Sequence, residues 1–201
     1  MKKFLISLLI FAITLPVFAK NTILIIGDSV SAGYGVETGK GWAALLKNRL
    51  QRAGGNYDVV NASISGDTTS NGLSRLPKAL ADHSPKITII ELGGNDGLRG
   101  IQIDTIKSNL MQMISLAKKT GSKVVILGVR LPPNYGPAYT DQFRQIFTTL
   151  SQDKTLQVVP LFLQNVDDKP QLMQTDGIHP TRQAQPILLD NVWVALKPLL
   201  K

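Results

Sequence analysis

The residues best suited to covalent chemistry in this sequence are one serine and one aspartate–histidine pair. Ser29 follows a short apolar run near one end of the chain, and His179 stands three residues after Asp176 near the other, with Gly177 between them. Nucleophilic acyl transfer requires a hydroxyl group, a base that takes its proton, a group that orients this base, and donors for the oxyanion. An aspartate so placed could accept a hydrogen bond from the imidazole and leave the other ring nitrogen to face a serine.

Each of these residues also has an ordinary structural interpretation. Asp176 could cap a turn, His179 could lie on the surface, and a serine directly after a strand commonly caps a helix. A glycine-rich loop after the first strand could instead hold a phosphate. However, neither G-x-x-x-x-G-K-[ST] nor G-x-G-x-x-G occurs here, and the segment around Ser29 also differs from the G-x-S-x-G elbow. The second histidine, His83, lies in a polar turn and is expected at the surface.

Four short segments in combination are far more specific than any one of them. They are Gly27-Asp28-Ser29, Gly66-Asp67-Thr68, Gly93-Gly94-Asn95-Asp96 and Asp176-Gly177-Ile178-His179-Pro180. In this order they resemble the four sequence blocks of the SGNH, or GDSL, hydrolases, and the resemblance spans residues 26–180. Further similarity over 61–68, 91–100 and 130–136 points to the exported thioesterases that also act as lysophospholipases and arylesterases.

The resemblance implies a role for each of five residues. Ser29 would be the nucleophile, His179 the general base and Asp176 its orienting acid. Gly66 and Asn95 would donate to the oxyanion together with the backbone N–H of the serine, although both are ordinary turn residues when judged by type alone. The implied reaction is two-step transfer of the acyl group of an ester or thioester to water, with no metal and no organic cofactor. Three further aspartates are interpreted as braces of these loops: Asp28, Asp67 and Asp96.

Alternating apolar runs and amphipathic stretches predict the scaffold that positions these residues. Five apolar runs are predicted to be strands, at 22–26, 57–60, 87–92, 124–127 and 158–161. Pro160 favours an edge position for the last of them. Apolar residues at helical spacing predict helices over 42–50, 69–81, 106–117, 139–150 and 188–199. Since strands this continuously apolar are buried on both faces, we expect a flavodoxin-like three-layer α/β/α sandwich with a five-stranded parallel sheet.

Apolar residues in two loops indicate where an acyl chain would bind. Ligands of open parallel sheets bind beyond the carboxyl ends of the strands, and the loops 97–101 and 131–135 should follow the third and fourth strands there. Four apolar residues of these loops are assigned to substrate binding: Leu98, Ile101, Leu131 and Pro132. Gly97 and Gly100 would let the first loop move. The alternative is that its apolar residues only pin the loop to the next helix.

The first nineteen residues have the pattern of a cleavable signal peptide. Lys2 and Lys3 precede an apolar stretch over 4–13, Pro16 breaks it, and small residues stand where a signal peptidase cleaves after Ala19. An uncleaved anchor is the alternative, but the apolar run is shorter than the ~20 residues of a spanning helix. We therefore expect residues 20–201 to form a single hydrolase domain in the periplasm, with secretion to the medium left open.

Composition limits the remaining classes. The chain has no cysteine, which excludes a thiol nucleophile, a disulfide framework and a cysteine-based metal site. Its formal net charge of +8 could suggest nucleic acid, but the basic residues are spread along the chain. We expect a monomer with a solvated basic surface, no nucleic-acid partner and at most a peripheral attraction to anionic lipid. Two other functions stay open: a carbohydrate acetylesterase with the same machinery, and a non-catalytic binding module.

Overall fold

The computed structural model describes residues 20–200, so the predicted signal peptide lies outside the described residues. Within this range five strands alternate with α-helices. The strands are β1 (Asn21–Gly27), β2 (Tyr57–Asn61), β3 (Ile87–Glu91), β4 (Lys123–Leu127) and β5 (Gln157–Val159). The helices are α1 (Ser29–Ala32), α2 (Trp42–Arg52), α3 (Thr69–His83), α4 (Gly94–Leu98), α5 (Ile103–Lys119), α6 (Pro137–Leu150) and α7 (Gln185–Leu196).

The five strands form one sheet in the order β2-β1-β3-β4-β5, and every neighbouring pair is parallel. This is the flavodoxin strand order, so the predicted fold class is confirmed. β5 lies at the edge, as Pro160 indicated, and it ends at Val159 because the next residue has no N–H to continue the ladder.

Each face of the sheet is covered by helices, because successive side chains of a strand point to opposite faces. Ile23 and Ile25 pack with α2 and α7 in one apolar cluster, whereas Leu24 and Ile26 pack with α3, α5 and α6 in the other. All four side chains are fully buried. Strand β1 therefore has no solvent-facing side, which explains its apolar run.

The register brings three loops to the same edge of the sheet. Gly27 at the end of β1 pairs with Glu91 at the end of β3, and Ile25 pairs with Asn61 at the end of β2. The segments that carry Ser29, Gly66 and Asn95 therefore leave the sheet side by side. None of the helices within residues 20–200 has the length and apolar character needed to cross a bilayer.

Candidate active site

Ser29 stands at the first position of α1, directly after β1. The side chain of Asp28 caps this helix, because its Oδ1 accepts a hydrogen bond from Val30 N at 3.1 Å. Gly33 ends the helix after four residues with a φ of 80°, in the left-handed region that favours glycine. The serine is thus held in a tight turn at the carboxyl end of the sheet.

The imidazole of His179 lies between Ser29 and Asp176. Its Nε2 is 2.8 Å from Ser29 Oγ, and its Nδ1 is 2.7 Å from Asp176 Oδ2. A carboxylate only accepts hydrogen bonds, so Nδ1 carries the proton that faces Asp176 and Nε2 can accept the proton of the serine. The structure therefore brings together three residues that lie up to 150 positions apart in the chain.

The turn that carries Asp176 keeps its carboxylate ionised. Asp176 Oδ1 accepts the backbone N–H groups of Ile178 at 2.9 Å and of His179 at 3.0 Å, and Gly177 permits this turn with a φ of 69°. The hydrogen bond from the His179 backbone is the largest of the causes that lower the pKa of Asp176 to about 2, with slight burial opposing it and the imidazole contact adding to it. The imidazole thus has a charged partner at neutral pH.

Gln174 and Tyr34 hold the loop of the base against the loop that follows the serine. The side-chain Nε2 of Gln174 donates to Tyr34 O at 2.8 Å and to Pro180 O at 3.0 Å, and its backbone N donates to His179 O at 2.7 Å. The ring of Tyr34 lies 4.5 Å from the imidazole, centroid to centroid, at an angle of 42°. One side chain therefore joins both loops, and a tyrosine covers one side of the imidazole.

Gly66 and Asn95 lie in the loops that follow β2 and β3, at the same edge of the sheet as Ser29, and both are tightly placed. Gly66 has a φ of 86°, and its carbonyl accepts from the Arg99 guanidinium at 3.0 Å. The side-chain Nδ2 of Asn95 donates to Asp67 O at 3.0 Å and to Asp28 Oδ2 at 3.1 Å. These two hydrogen bonds fix the plane of the Asn95 amide.

The aspartates that follow the strands brace the loops, as the sequence predicted. Asp67 forms an ion pair with Arg75 at 2.7 Å, and this arginine also donates to the carbonyls of Ala62 and Gly27. The buried Asp96 accepts from the backbone and the hydroxyl of Thr69, at 2.8 and 2.5 Å. Together they tie β1, α3 and α4 into one frame around the site.

A cavity of about 730 Å³ opens beside Ser29. Three of the four residues assigned to substrate binding line it, namely Leu98, Leu131 and Pro132. Ile101 is different, because it packs against the apolar cluster beneath α5 and is not among the described residues that line the cavity. Within residues 20–200, no three acidic or histidine side chains are grouped so that they could hold a metal ion.

The structure corrects one part of the expectation for the loop 97–101, namely the role of Gly97. Gly97 lies inside α4 and donates its N–H to Gly93 O at 2.9 Å. A side chain on Gly97 would overlap Leu131, which is only 5% exposed because it fills the space above this glycine. Gly97 thus serves close packing and is not a hinge.

Comparison with known proteins assigns the family. Residues 25–185 match the model of the GDSL-like lipase/acylhydrolase family, and this range includes every residue of the site described above. The chain belongs to this family. The resemblance expected from the sequence is thereby confirmed, and with it hydrolysis of acyl esters and thioesters as the class of activity.

Several relatives of this acylhydrolase match over nearly their whole length. Esterase TesA of Pseudomonas aeruginosa is 50% identical over 182 residues, 90% of each chain. The arylesterase of Vibrio mimicus is 46% identical over 92% of each chain. The protein of Escherichia coli K12 named thioesterase 1/protease 1/lysophospholipase L1 is 43% identical over 94% of this chain and 89% of its own.

Solved structures of esterases also match this fold over most of the chain. The crystal structure of TesA matches 90% of this chain and 100% of its own, with a TM-score of 0.86. The esterase EstA of Pseudoalteromonas sp., inhibited by monoethylphosphonate, matches 90% of this chain and 99% of its own, with a TM-score of 0.84 at 36% identity. The arrangement of layers and loops is therefore that of known esterases.

Three residues at the site of this acylhydrolase were not predicted from the sequence. Gln174 and Tyr34 meet across 140 positions, and Glu91 lies under the serine turn, where its Oε2 accepts from Ser31 Oγ at 2.7 Å. No local sequence motif indicates these contacts. A glutamate at the end of a largely apolar strand is the one signal that could have drawn attention, since charged side chains are almost never buried alone.

Proposed function

We propose that this acylhydrolase cleaves carboxylic esters and thioesters through an acyl-enzyme intermediate on Ser29. The observation that carries the proposal is the unbroken series of contacts from Ser29 Oγ to His179 Nε2 at 2.8 Å and from His179 Nδ1 to Asp176 Oδ2 at 2.7 Å. His179 takes the proton of Ser29 as Oγ attacks the acyl carbonyl, while Asp176 stabilises the imidazolium. The imidazolium then protonates the leaving alcohol or thiol, and a water molecule deprotonated by His179 releases the acid.

The oxyanion of each tetrahedral intermediate would be stabilised by three donors. They are the backbone N–H groups of Ser29 and Gly66 and the side-chain amide of Asn95. The left-handed φ of Gly66 supports this role, because it turns the peptide in a way that other residues rarely adopt. Fixed neutral donors stabilise a developing charge without the cost of reorganising water.

The substrate class follows from the cavity and from the relatives. An apolar cavity wall next to the nucleophile suits an acyl chain, and the names of the relatives cover esters, aryl esters, thioesters and lysophospholipids. A carbohydrate acetylesterase would bind a polar ring there instead. Steady-state rates for p-nitrophenyl acetate and decanoate, a long-chain acyl-CoA, a lysophospholipid and an acetylated sugar would separate these classes. Activity confined to the acetylated sugar would refute the proposed substrate class.

The nucleophile can be identified by covalent labelling. A fluorophosphonate probe should add one adduct to the intact protein, on Ser29, and Ser29→Ala should abolish both labelling and hydrolysis. Ser65→Ala is the matched control, since Ser65 is exposed in the loop that carries Gly66. Labelling of another residue, or an active Ser29→Ala variant, would refute the mechanism.

We further propose that the enzyme acts in the periplasm as a monomer after removal of residues 1–19. Mass spectrometry of the exported protein should find Lys20 at the N-terminus, and sedimentation should give a single protomer.

A peripheral contact with anionic lipid is part of the same proposal. Three of the large apolar side chains exposed on the described surface belong to the loops of the site: Tyr34 (55%), Ile64 (51%) and Ile178 (41%). The expected result is sedimentation with phosphatidylglycerol vesicles and release by salt, whereas equal binding to neutral phosphatidylcholine would contradict an electrostatic contribution.

A further inference from the structure

Beneath the nucleophile turn lies a pair of buried carboxyl groups that the mechanism above does not use. Glu91 is 1% exposed and Asp28 is 4% exposed. Glu91 Oε2 accepts from Ser31 Oγ at 2.7 Å and lies 3.4 Å from the backbone N of Asp28. The two carboxyl groups are close enough for each to shift the pKa of the other. No arginine or lysine within residues 20–200 forms an ion pair with either carboxyl.

Gly27 is what lets this pair form. A side chain at this position would come within 3 Å of Ser31 and of the Glu91 carboxyl, which would have to move. The glycine of the Gly-Asp-Ser segment therefore makes room for Glu91 directly below the turn that carries Ser29.

Two neighbouring buried carboxyl groups without a cation are expected to hold one proton between them, because two ionised carboxylates would repel each other. Burial raises the pKa of both groups, and the neighbouring Asp28 raises that of Glu91 further. Asp28 is the member that ionises first, with a pKa of about 6, since it accepts N–H groups from both Val30 and Asn95. At neutral pH Glu91 thus carries the proton and Asp28 the charge.

Asp28 in turn determines where the amide of Asn95 points. Both hydrogens of Asn95 Nδ2 are engaged at rest, one by Asp28 Oδ2 at 3.1 Å and the other by Asp67 O at 3.0 Å. The hydrogen bond to Asp28 must be shared or released when Asn95 donates to an oxyanion. A hydrogen bond from a protonated Glu91 would lower the cost of that exchange, because Asp28 would then keep the O–H of Glu91 as a donor beside the N–H of Val30.

We propose that Glu91 is a positioning residue for the oxyanion hole, acting as a neutral hydrogen-bond donor to Asp28 and through it on the side-chain amide of Asn95. The inference rests on the proposed function. The proton is shared within the pair and is neither supplied to nor taken from the substrate. Glu91 therefore acts on stabilisation of the transition state and not on substrate affinity.

The kinetic test compares two substitutions at one position. Glu91→Gln keeps a neutral group that can donate to Asp28 and accept from Ser31, so it should keep kcat close to the wild-type value. Glu91→Met keeps the length but not the donor, and it should lower kcat on the order of 10-fold to 100-fold, a part of the loss for removing an oxyanion donor outright, with KM unchanged. Glu37→Gln, at the other glutamate of the sequence, is the matched control and should change neither.

The outcomes decide between three interpretations. Equal loss of kcat in Glu91→Gln and Glu91→Met would mean that a charged carboxylate is required, which overturns the proposal. Wild-type kcat in Glu91→Met, or a change confined to KM, would also overturn it, since Glu91 would then position no oxyanion donor.

The pH dependence of stability tests the shared proton without any substrate, even where Glu91→Met fails to fold. The pKa of Glu91 is raised on folding, so its stabilisation is complete below about pH 4.5 and is lost as the pH rises toward the folded value. Glu91→Gln has no such proton, so its Tm relative to wild type should rise from about pH 5 to about pH 9. The infrared carbonyl band of a buried protonated acid should be present at neutral pH and absent in Glu91→Gln. A constant Tm difference, or no such band, would overturn the proposal.

The other charged groups around the pair are the same in wild type and Glu91→Gln, so their contributions cancel in the Tm difference. They are His179 with Asp176, Arg75 of α3 with Asp67, Asp96 of α4, and Arg130 with Asp167 beyond β4.

The proposed function and the role of Glu91 can also fail separately. Loss of the proposed function would appear as an active Ser29→Ala variant, whereas the Tm difference and the infrared band report on Glu91 whether or not an ester is hydrolysed.

Discussion

Truncation of Leu98 should shorten the acyl chains that the enzyme prefers. Leu98 is the last residue of α4, half-buried, and lines the cavity beside Ser29. Ile101, three residues later, is also half-buried but packs against the core. Leu98→Ala and Ile101→Ala therefore form a matched pair of variants. Each removes three side-chain carbons, from the cavity wall in Leu98→Ala and from the core packing in Ile101→Ala.

The size of the effect follows from how much of Leu98 is still exposed. Replacement by alanine removes three carbons, and full burial of each against a substrate contributes ~0.8 kcal/mol, or ~2 kcal/mol together. Because the protein already covers part of this side chain, an acyl chain can bury only the remainder. We expect about 1 kcal/mol, which corresponds to about a fivefold lower kcat/KM for chains that reach the residue.

The assay is a series of p-nitrophenyl esters from acetate to decanoate with each purified variant. Leu98→Ala should leave acetate and butyrate nearly unchanged and lose about fivefold on the long esters. Ile101→Ala should lower Tm and show no trend with chain length. An equal loss on short and long esters in Leu98→Ala, or a chain-length trend in Ile101→Ala, would refute this account of the cavity.

Three further results are expected. Asn95→Ala should lower kcat roughly 10²-fold to 10³-fold with little change in KM, as measured by steady-state kinetics. A change confined to KM would mean that Asn95 only binds substrate. Asp176→Asn should lower kcat on the order of 10² to 10⁴ by favouring the wrong tautomer of His179. Folding lowers the pKa of Asp176 to about 2, so the stabilisation by its carboxylate is present above about pH 3.8 and is lost as the pH falls through about 2. The Tm advantage of wild type over Asp176→Asn should therefore shrink as the pH falls over that window. A constant Tm difference would contradict this expectation. Gly97→Ala should lower Tm, since the added carbon overlaps Leu131, and an unchanged Tm would show that the cavity wall yields freely.

The sequence was sufficient to predict the architecture because buried parallel strands must be apolar along their whole length. All five strands and five of the longer helices were located, and Pro160 correctly indicated the edge strand. The helix α4 was not predicted. It has only five residues, two of which are glycines, and such a segment has no apolar periodicity and a low helix propensity.

The same contrast holds at the site. Ser29, Asp176 and His179 could be singled out because they stand in segments that together resemble the SGNH sequence blocks, and the structure brings them within hydrogen-bond distance. The contacts of Gln174 and Glu91 could not be predicted, since each side chain acts on a loop 60 or more positions away in the chain. A local sequence pattern cannot predict contacts between residues so far apart in the chain.

Only the tertiary structure decided which apolar residues face the cavity and which face the core. Leu98, Ile101 and Leu131 looked alike in the sequence. In the structure the first lines the cavity, the second packs under α5, and the third is buried over Gly97 with one side on the cavity. The physical reason is that local residue types determine what a segment can do, whereas the packing of distant segments determines which surface each side chain meets.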